Sequence, residues 1–517
     1  MSPQPKRGTT ARPAATRATD APGEPSARSV RAFVRSRTRG PSTLLDRYVA
    51  MFGLAMVAAV AGRPVSSAIA GMAGQAGAAH VGAGMALIVL AFAGVVAAAR
   101  AGGPVVLSAA DAAWLLLSPL DRRGVLGRTA RVLLLVAIVA GVALGLGLLA
   151  VLGAPDQLIW RLAGAMVLGV SASVGAMAMA VLAQLSQTWN AWLSAALVVL
   201  LAMAVLAASG TARSVLAAVA GAPLSAVSAV AVGSATVATL LVRRAWTTLD
   251  RIPARSILAT STRAGHVAAA AVVVDPGALT WIAEDNHWRA RKLRSRAWPS
   301  LPAPFALAWQ DWRRAARRPG RLAAVFAATA LPAVLAQAGN TGAAEVSVLA
   351  GALWVAAANT SGARRDGDNP SLMRLMGVGP RAAMAARALL PALLCGAWTA
   401  AALAGLAMVG GLPAGAWWLF GPLISPAVAA AGLRMARRRP VDHSMPVIDT
   451  PGGAIPTGPL IWALTGPDLA LIGCLPLIAA LTTRPAGLAE FLGAQAVLGV
   501  AVLAGYLVRV RSVDNRN

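Results

Sequence analysis

The sequence is poor in the residues that most enzymes use. It holds two cysteines, four histidines and two tyrosines in 517 residues. Cys395 and Cys474 fall inside hydrophobic runs and read as small core residues, not as a disulfide or a metal pair. His80, His266, His287 and His443 are scattered, with no ligand spacing. Lysine is nearly missing, with only Lys6 and Lys292 present. A phosphate-binding loop needs Gly-x-x-x-x-Gly-Lys followed by Ser or Thr. Lys6 precedes Arg7 and Lys292 precedes Leu293, which excludes that loop. HExxH, paired-cysteine and GxSxG motifs are also missing. The expectation is therefore no enzyme, no cofactor and no metal site in this chain. Acids are scarce as well, 19 Asp and Glu against 46 Lys and Arg, for a net charge of +27.

What is abundant is apolar. The chain is 57% hydrophobic, with a mean hydropathy of +0.67. A soluble protein of this length has no interior large enough for that surface, so the solvent is lipid. In a soluble chain the positive charge would suggest nucleic acid. Beside long apolar runs it reads as membrane-orienting charge, and no nucleic-acid partner is expected. The Arg, Ala and Gly excess fits a GC-rich bacterial genome. The expected location is a bacterial cell membrane, crossed many times.

Residues 1–42 are rich in Pro, Arg, Ser, Thr and Ala and read as a disordered basic tail. The tail has no apolar run of the signal-peptide kind, so the first span is expected to serve as an uncleaved anchor. A first module of six spans is expected over 43–242: Tyr48–Gly62, Val81–Ala99, Val132–Leu152, Leu162–Ala183, Ala191–Ser209 and Val215–Val242. A basic connector with amphipathic helices follows over 243–321. A second six-span module is expected over 322–517: Leu322–Ala338, Val346–Ala358, Leu389–Gly410, Trp417–Leu433, Leu469–Leu481 and Leu488–Val508. The fold class is thus all-α, polytopic, with about twelve transmembrane helices.

Charge orders these spans. With the N-terminus inside, alternate connections carry 42 and 4 of the 46 Arg and Lys. Basic residues stay on the cytoplasmic side, so both termini and 243–321 are expected there. Within the connector, Phe305–Arg321 reads FALAWQDWRRAARRPGR, an apolar helical stripe suited to the inner surface. Asp275-Pro276 resembles a helix start, with a helix expected to about Ser295.

A repeat is visible after the second span of each half. LLLSPLDRRGVLGRTARVLLL carries Arg122 and Arg128; LMRLMGVGPRAAMAARALLPAL carries Arg381 and Arg387, offset by 259 residues. Each pair follows a mostly apolar stretch, Val105–Leu120 or Ser371–Val378, too short or too polar to cross. Asp46 and Asp311 precede the first and seventh spans in the same way. An even number of spans per module gives parallel repeats, related by an axis along the membrane normal.

Leu120-Asp121-Arg122-Arg123-Gly124 partly matches a loop of major-facilitator carriers, but lacks its initial Gly and its later basic pair. Asp468 in TGPDLALIGC allows two readings. It is an intramembrane acid of the kind that carries function, or it sits in the first turn of a shorter helix after Pro467. The Pro-Asp pair favours the second. Gly141-x-x-x-Gly145 and Ser171-x-x-x-Gly175 are small-residue packing faces.

LLSPLDRRGVL and LAWQDWRRAARRPGRL resemble the cytoplasmic segments of type-2 ATP-binding-cassette exporter permeases. The whole chain resembles a poorly characterised actinobacterial multi-pass group of that kind. The resemblance implies two fused permease modules in the lipid bilayer, driven by separate ATP-binding-cassette ATPase subunits. The ATPase-coupling candidates are Asp121, Arg122 and Arg128 in one module and Arg374, Arg381 and Arg387 in the other. The alternatives are a six-plus-six secondary carrier, for which the near absence of intramembrane acids is unfavourable, and a membrane scaffold.

The charge split generates a topology test. Reporter fusions at His266 and at Asn340 should report opposite sides of the membrane. Both on one side would end the twelve-span layout.

Overall fold

The computed structural model describes residues 78–107, 122–153, 157–254, 256–258, 260–261, 299–369, 371, 375, 377–439, 441–442, 444–450 and 453–514. The expected first span, the Asp275–Ser295 helix, Asp121 and Arg374 lie outside them. The first half consists of α1 (Ala78–Gly102), α2 (Arg122–Leu152), α3 (Leu158–Ala183), α4 (Gln187–Ala208), α5 (Arg213–Ala220) and α6 (Leu224–Thr247). Then come α7 (Ala303–Ala316), α8 (Pro319–Ala327), α9 (Leu331–Gln337), α10 (Thr341–Ala358), α11 (Ser361–Asp368), α12 (Pro380–Met408) and α13 (Phe420–Ala436). The chain continues through α14 (Thr457–Leu464), α15 (Pro467–Gly473), α16 (Leu475–Thr483) and α17 (Ala489–Asp514).

Among the described residues, nine helices are long and apolar enough to cross a membrane, or ten if a pair bent by 83° around Arg317–Gly320 counts as one. The chain is a polytopic helical membrane protein. Its long helices are apolar all round, as lipid on one side and protein on the other require. Except around Pro391 in α12 and Pro426 in α13, they satisfy their own backbone, the condition for crossing a bilayer. Polar side chains cap some ends. Ser186 accepts from the Trp189 amide at the start of α4, and Asn340 from the Ala343 amide at the start of α10.

The structure departs from the expected layout at three spans and one connection. Val215–Val242 is two helices, α5 and α6, because Pro223 is extended and stops the first. Leu322–Ala338 is α8 and α9, joined by a 3-10 turn at Ala328–Ala330 just before Pro332. Leu469–Leu481 is α15 and α16, broken at Cys474 two residues before Pro476. Proline has no N–H to continue the ladder, so each break follows from sequence. An antiparallel hairpin, β1 (Val447–Thr450) with β2 (Gly453–Pro456), interrupts the otherwise helical chain.

Neighbouring side chains repair two of these breaks. Arg161 of α3 donates to the carbonyls of Ala220 and Ala222, which the end of α5 leaves open. Gln495 of α17 is fully buried. Its Nε2 donates to the Gly473 carbonyl at 2.6 Å, and its Oε1 accepts from the Leu477 amide at 3.2 Å.

In the first half α2 packs on α3 and α3 on α6, and α1 touches α2, α3 and α4. In the second, α12 packs on α13, α13 on α17, and α10 on both α12 and α13. Contact of α9 with α1 joins the halves. The crossings use glycine. A Cβ on Gly169 would lie 2.3 Å from the Gly141 carbonyl oxygen and 2.4 Å from the Gly145 amide nitrogen. One on Gly421 would lie 2.5 Å from the Gly396 carbonyl oxygen. Ser171 and Ser234 share a 2.7 Å hydrogen bond between α3 and α6. The largest buried cluster surrounds Trp398, Trp417 and Phe420 in the second half, and both cysteines lie in it.

Gln495→Met should strand the Gly473 carbonyl and the Leu477 amide in an apolar interior, at a cost of about 1–3 kcal/mol for each unsatisfied group. Thermal unfolding in detergent should show this loss. Thr482→Val should be near neutral, because the Thr482 hydroxyl bonds only carbonyls of its own helix and is exposed.

Candidate functional site

The basic ends of the helices meet at one end of the bundle. Arg100 at the end of α1 donates to Asn190 at the start of α4. Arg123 in α2 pairs with Asp250 after α6 at 3.1 Å. Arg381 in α12 donates to the Leu507 carbonyl in α17 at 3.4 Å. The start of the first connection is held at the same end. The Val105 amide donates to Gln184 and the Leu107 amide to Ser261, and both side chains are buried against Leu126, Leu249 and Ile257.

The tightest constellation at this end is built on Arg387. Its side chain is 3% exposed, and its acidic partners Asp311 and Asp366 are 5% and 11% exposed. Nε donates to Asp366 Oδ2 at 2.8 Å and Nη2 to Asp366 Oδ1 at 3.0 Å, a bidentate fork. Nη1 donates to Asp311 Oδ1 at 2.8 Å and to the Leu307 carbonyl at 3.2 Å. Nη2 also reaches Gln310 Oε1 at 3.3 Å. One guanidinium thus ties together α7, α11 and the second turn of α12. The amphipathic α7 turns Leu307 and Asp311 inward and leaves Phe305 and Trp312 exposed. Burial pushes the Asp311 carboxyl above its ordinary value, and the Arg387 guanidinium pulls it back. Gly362 makes room: a Cβ there would lie 2.4 Å from Asp311 Oδ1 and 2.7 Å from Arg387 Nη1.

This network lies within a long family match. Residues 76–446 fit the profile of DUF6297, a family of unknown function. The chain belongs to that family. The DUF6297 region includes α1 to α13 and all three charged members of the Arg387 network, while α14 to α17 follow it. No curated protein and no solved structure matches the chain.

The sequence candidates separate in space. Arg122 and Arg128 are exposed on the first two turns of α2. Arg381 is exposed on α12, whereas Arg387 on the same helix is enclosed. Asp468 lies in the first turn of α15, after Gly466 at φ 112. Its Oδ1 accepts from the Gly466 and Leu469 amides at 2.8 Å, and its Oδ2 pairs with Arg434 at 2.9 Å. It is a half-exposed capping acid. Asp311 and Asp366 as the partners of Arg387, and Gln495 and Arg161 as repairers of breaks, are the residues that sequence reasoning missed. The signals for Asp311 were its place in the amphipathic helix before the seventh span and its match to Asp46 before the first.

Removing one partner of a buried ion pair leaves an uncompensated charge and costs about 3–5 kcal/mol. Arg387→Met should therefore destabilise the detergent-solubilised protein by that amount, read by thermal unfolding. Asp311→Asn keeps an acceptor for Nη1 and should cost less. Gly362→Ala should resemble Arg387→Met in direction.

Proposed function

We propose that this chain is the membrane-spanning permease of an ATP-binding-cassette exporter, built from two fused six-span modules and driven by separate ATPase subunits. The observation that carries the reading is a partly shared packing plan around two arginine pairs. The contacts α1–α2, α1–α3, α2–α3, α3–α4 and α3–α6 have counterparts in α10–α12, α10–α13, α12–α13, α13–α15 and α13–α17, while α1–α4 and α12–α17 are each particular to one half. The matched helices α2 and α12 each open with arginines six residues apart, Arg122 and Arg128 or Arg381 and Arg387. A pseudo-symmetric permease needs two docking places on its cytoplasmic face, and these helix starts are the candidates, with Arg122 and Arg128 exposed on one and Arg381 on the other.

Twelve crossings follow in this reading. They are the nine long apolar helices, the broken spans α8–α9 and α15–α16, and Tyr48–Gly62, which lies outside the described residues. The arginine-rich end is cytoplasmic by the positive-inside rule, with both termini there and the chain in the cell membrane. The placement of Asp468 supports a permease over a proton-coupled carrier. A carrier needs an acid inside the membrane, and Asp468 is instead half-exposed at a helix start, where it pairs with Arg434.

The test is co-purification of an ATPase carrying a phosphate-binding loop, above all one encoded beside this gene, under gentle extraction. Wild type should retain it. Arg122→Ala with Arg128→Ala should retain several-fold less, with unchanged membrane insertion, because Arg100, Arg123 and Arg131 still hold that connection inside. Failure of wild type to retain any ATPase would remove the permease reading. Equal retention by the variant would reduce Arg122 and Arg128 to orienting charges.

A further inference from the structure

The Arg-rich end carries a cavity that the transport reading does not use. It lies between the end of α13, the turn before α15 and the last turns of α17, with a volume of about 830 Å³. Five arginines line it: Arg434, Arg437, Arg438, Arg439 and Arg509. Asp468 pairs with Arg434 beside the cavity. No Asp or Glu is among the residues that line it. Thr465 and Tyr506 add hydroxyls to the wall.

The arginines are positioned from outside the cavity as well. The Arg438 guanidinium stacks 3.4 Å from the centre of the Trp462 ring and donates to the Trp462 carbonyl. Trp462 Nε1 in turn donates to the Arg439 carbonyl at 2.8 Å. This clasp between α14 and the end of α13 fixes the chain that carries Arg437 and Arg439. Arg437 and Arg439 themselves are exposed to solvent at the rim.

Leu469, Val502 and Val510 add apolar surface to the lining. The cavity thus combines arginines and apolar groups near the ends of α13 and α17. Arginine forks fit phosphate oxygens, and basic pockets between spans on the cytoplasmic side receive anionic headgroups.

We propose that this cavity binds a phosphate-bearing anion, with Arg437 and Arg439 as the receiving pair at its rim. The chemistry fits the phosphodiester head of an anionic lipid, with its acyl chains along Leu469 and Val502. It also fits a soluble phosphate that enters from the basic side. The site stands whether or not the chain couples to an ATPase, since it uses only the cavity and its charges.

The experiment uses the full chain, delipidated in detergent and examined by native mass spectrometry. Cardiolipin, phosphatidylglycerol and phosphatidylcholine are titrated in turn, each with and without millimolar inorganic phosphate. Wild type should take up cardiolipin or phosphatidylglycerol at least fivefold more readily than phosphatidylcholine. Arg437→Gln with Arg439→Gln should lose at least fivefold of that uptake. Arg437→Lys with Arg439→Lys, which keeps the charge, should retain at least half. Arg243→Gln with Arg244→Gln, an equal charge loss on exposed residues near the end of α6, should bind as wild type does.

Lipid uptake that resists inorganic phosphate assigns the site to a headgroup. Competition by inorganic phosphate, lost in the Arg437/Arg439 variant, assigns it to a soluble phosphate; both outcomes uphold the anion site. Equal loss in the two glutamine variants would show diffuse charge attraction and overturn it. Unchanged uptake in the Arg437/Arg439 glutamine variant would overturn it too.

Discussion

A bilayer interior offers no water to an open N–H or C=O, and the fold follows from that constraint. Unbroken helices meet it alone, and most of the long helices here do so. Three expected spans contain a proline at which the ladder fails. Side chains from other helices take over at two of them. Arg161 reaches the carbonyls at the end of α5, and Gln495 bridges α15 and α16. A chain with so few polar residues in its spans has placed these where the backbone is open. The same constraint explains the glycines at the crossings. Lipid tails give apolar helices little reason to associate, so contact depends on how closely backbones approach. Gly141, Gly145 and Gly169 allow one crossing, and Gly396 and Gly421 allow its counterpart.

Charge has a different economy. Burying Arg387 costs several kcal/mol before any partner is counted. Two carboxylates, an amide and a carbonyl offset that cost. The result is a joint between the amphipathic α7 and the start of the long apolar α12. In the proposed permease, a force applied to α7 from the basic side would reach α12 through this joint without depending on loop stiffness. α7 and the helices that follow it meet at a bend of 83°.

Much of the fold was legible in the sequence because hydropathy is a direct record of contact with lipid. Every expected span from Val81–Ala99 onward meets a helix or a broken pair, and Phe305–Arg321 overlaps all but the first two residues of the amphipathic α7. The breaks were harder to see. Apolar runs continue through Pro332 and Pro476, and proline is tolerated within some spans here, as Pro391 in α12 and Pro426 in α13 demonstrate. The hairpin lies in a stretch whose Pro and Gly content gave only the reading of an interruption. The Arg387 network was half legible. The arginine stood out through its repeat partner, but its acids lie 76 and 21 residues away on other helices. No spacing rule reaches across that distance, and a lone Asp among arginines reads as surface charge until the fold encloses it.

The two arginine pairs share a spacing but differ in surroundings, and the shortage of acid explains how. With 19 acids for 46 basic residues, most arginines lack a carboxylate of their own. At α12 two acids are committed to Arg387, which draws the second arginine of that pair inward and leaves Arg381 outside. At α2 the nearby acid Asp250 takes Arg123, a residue outside the repeat, and both Arg122 and Arg128 remain on the surface. The start of α2 therefore presents a double positive charge where the start of α12 presents a single one backed by a fixed joint. In the proposed exporter, two ATPase subunits would meet unequal surfaces: one gripped mainly by charge, the other seated against a helix that Arg387 has locked. A fused chain can carry that inequality, since its halves are free to diverge, whereas a permease made of two identical subunits could not.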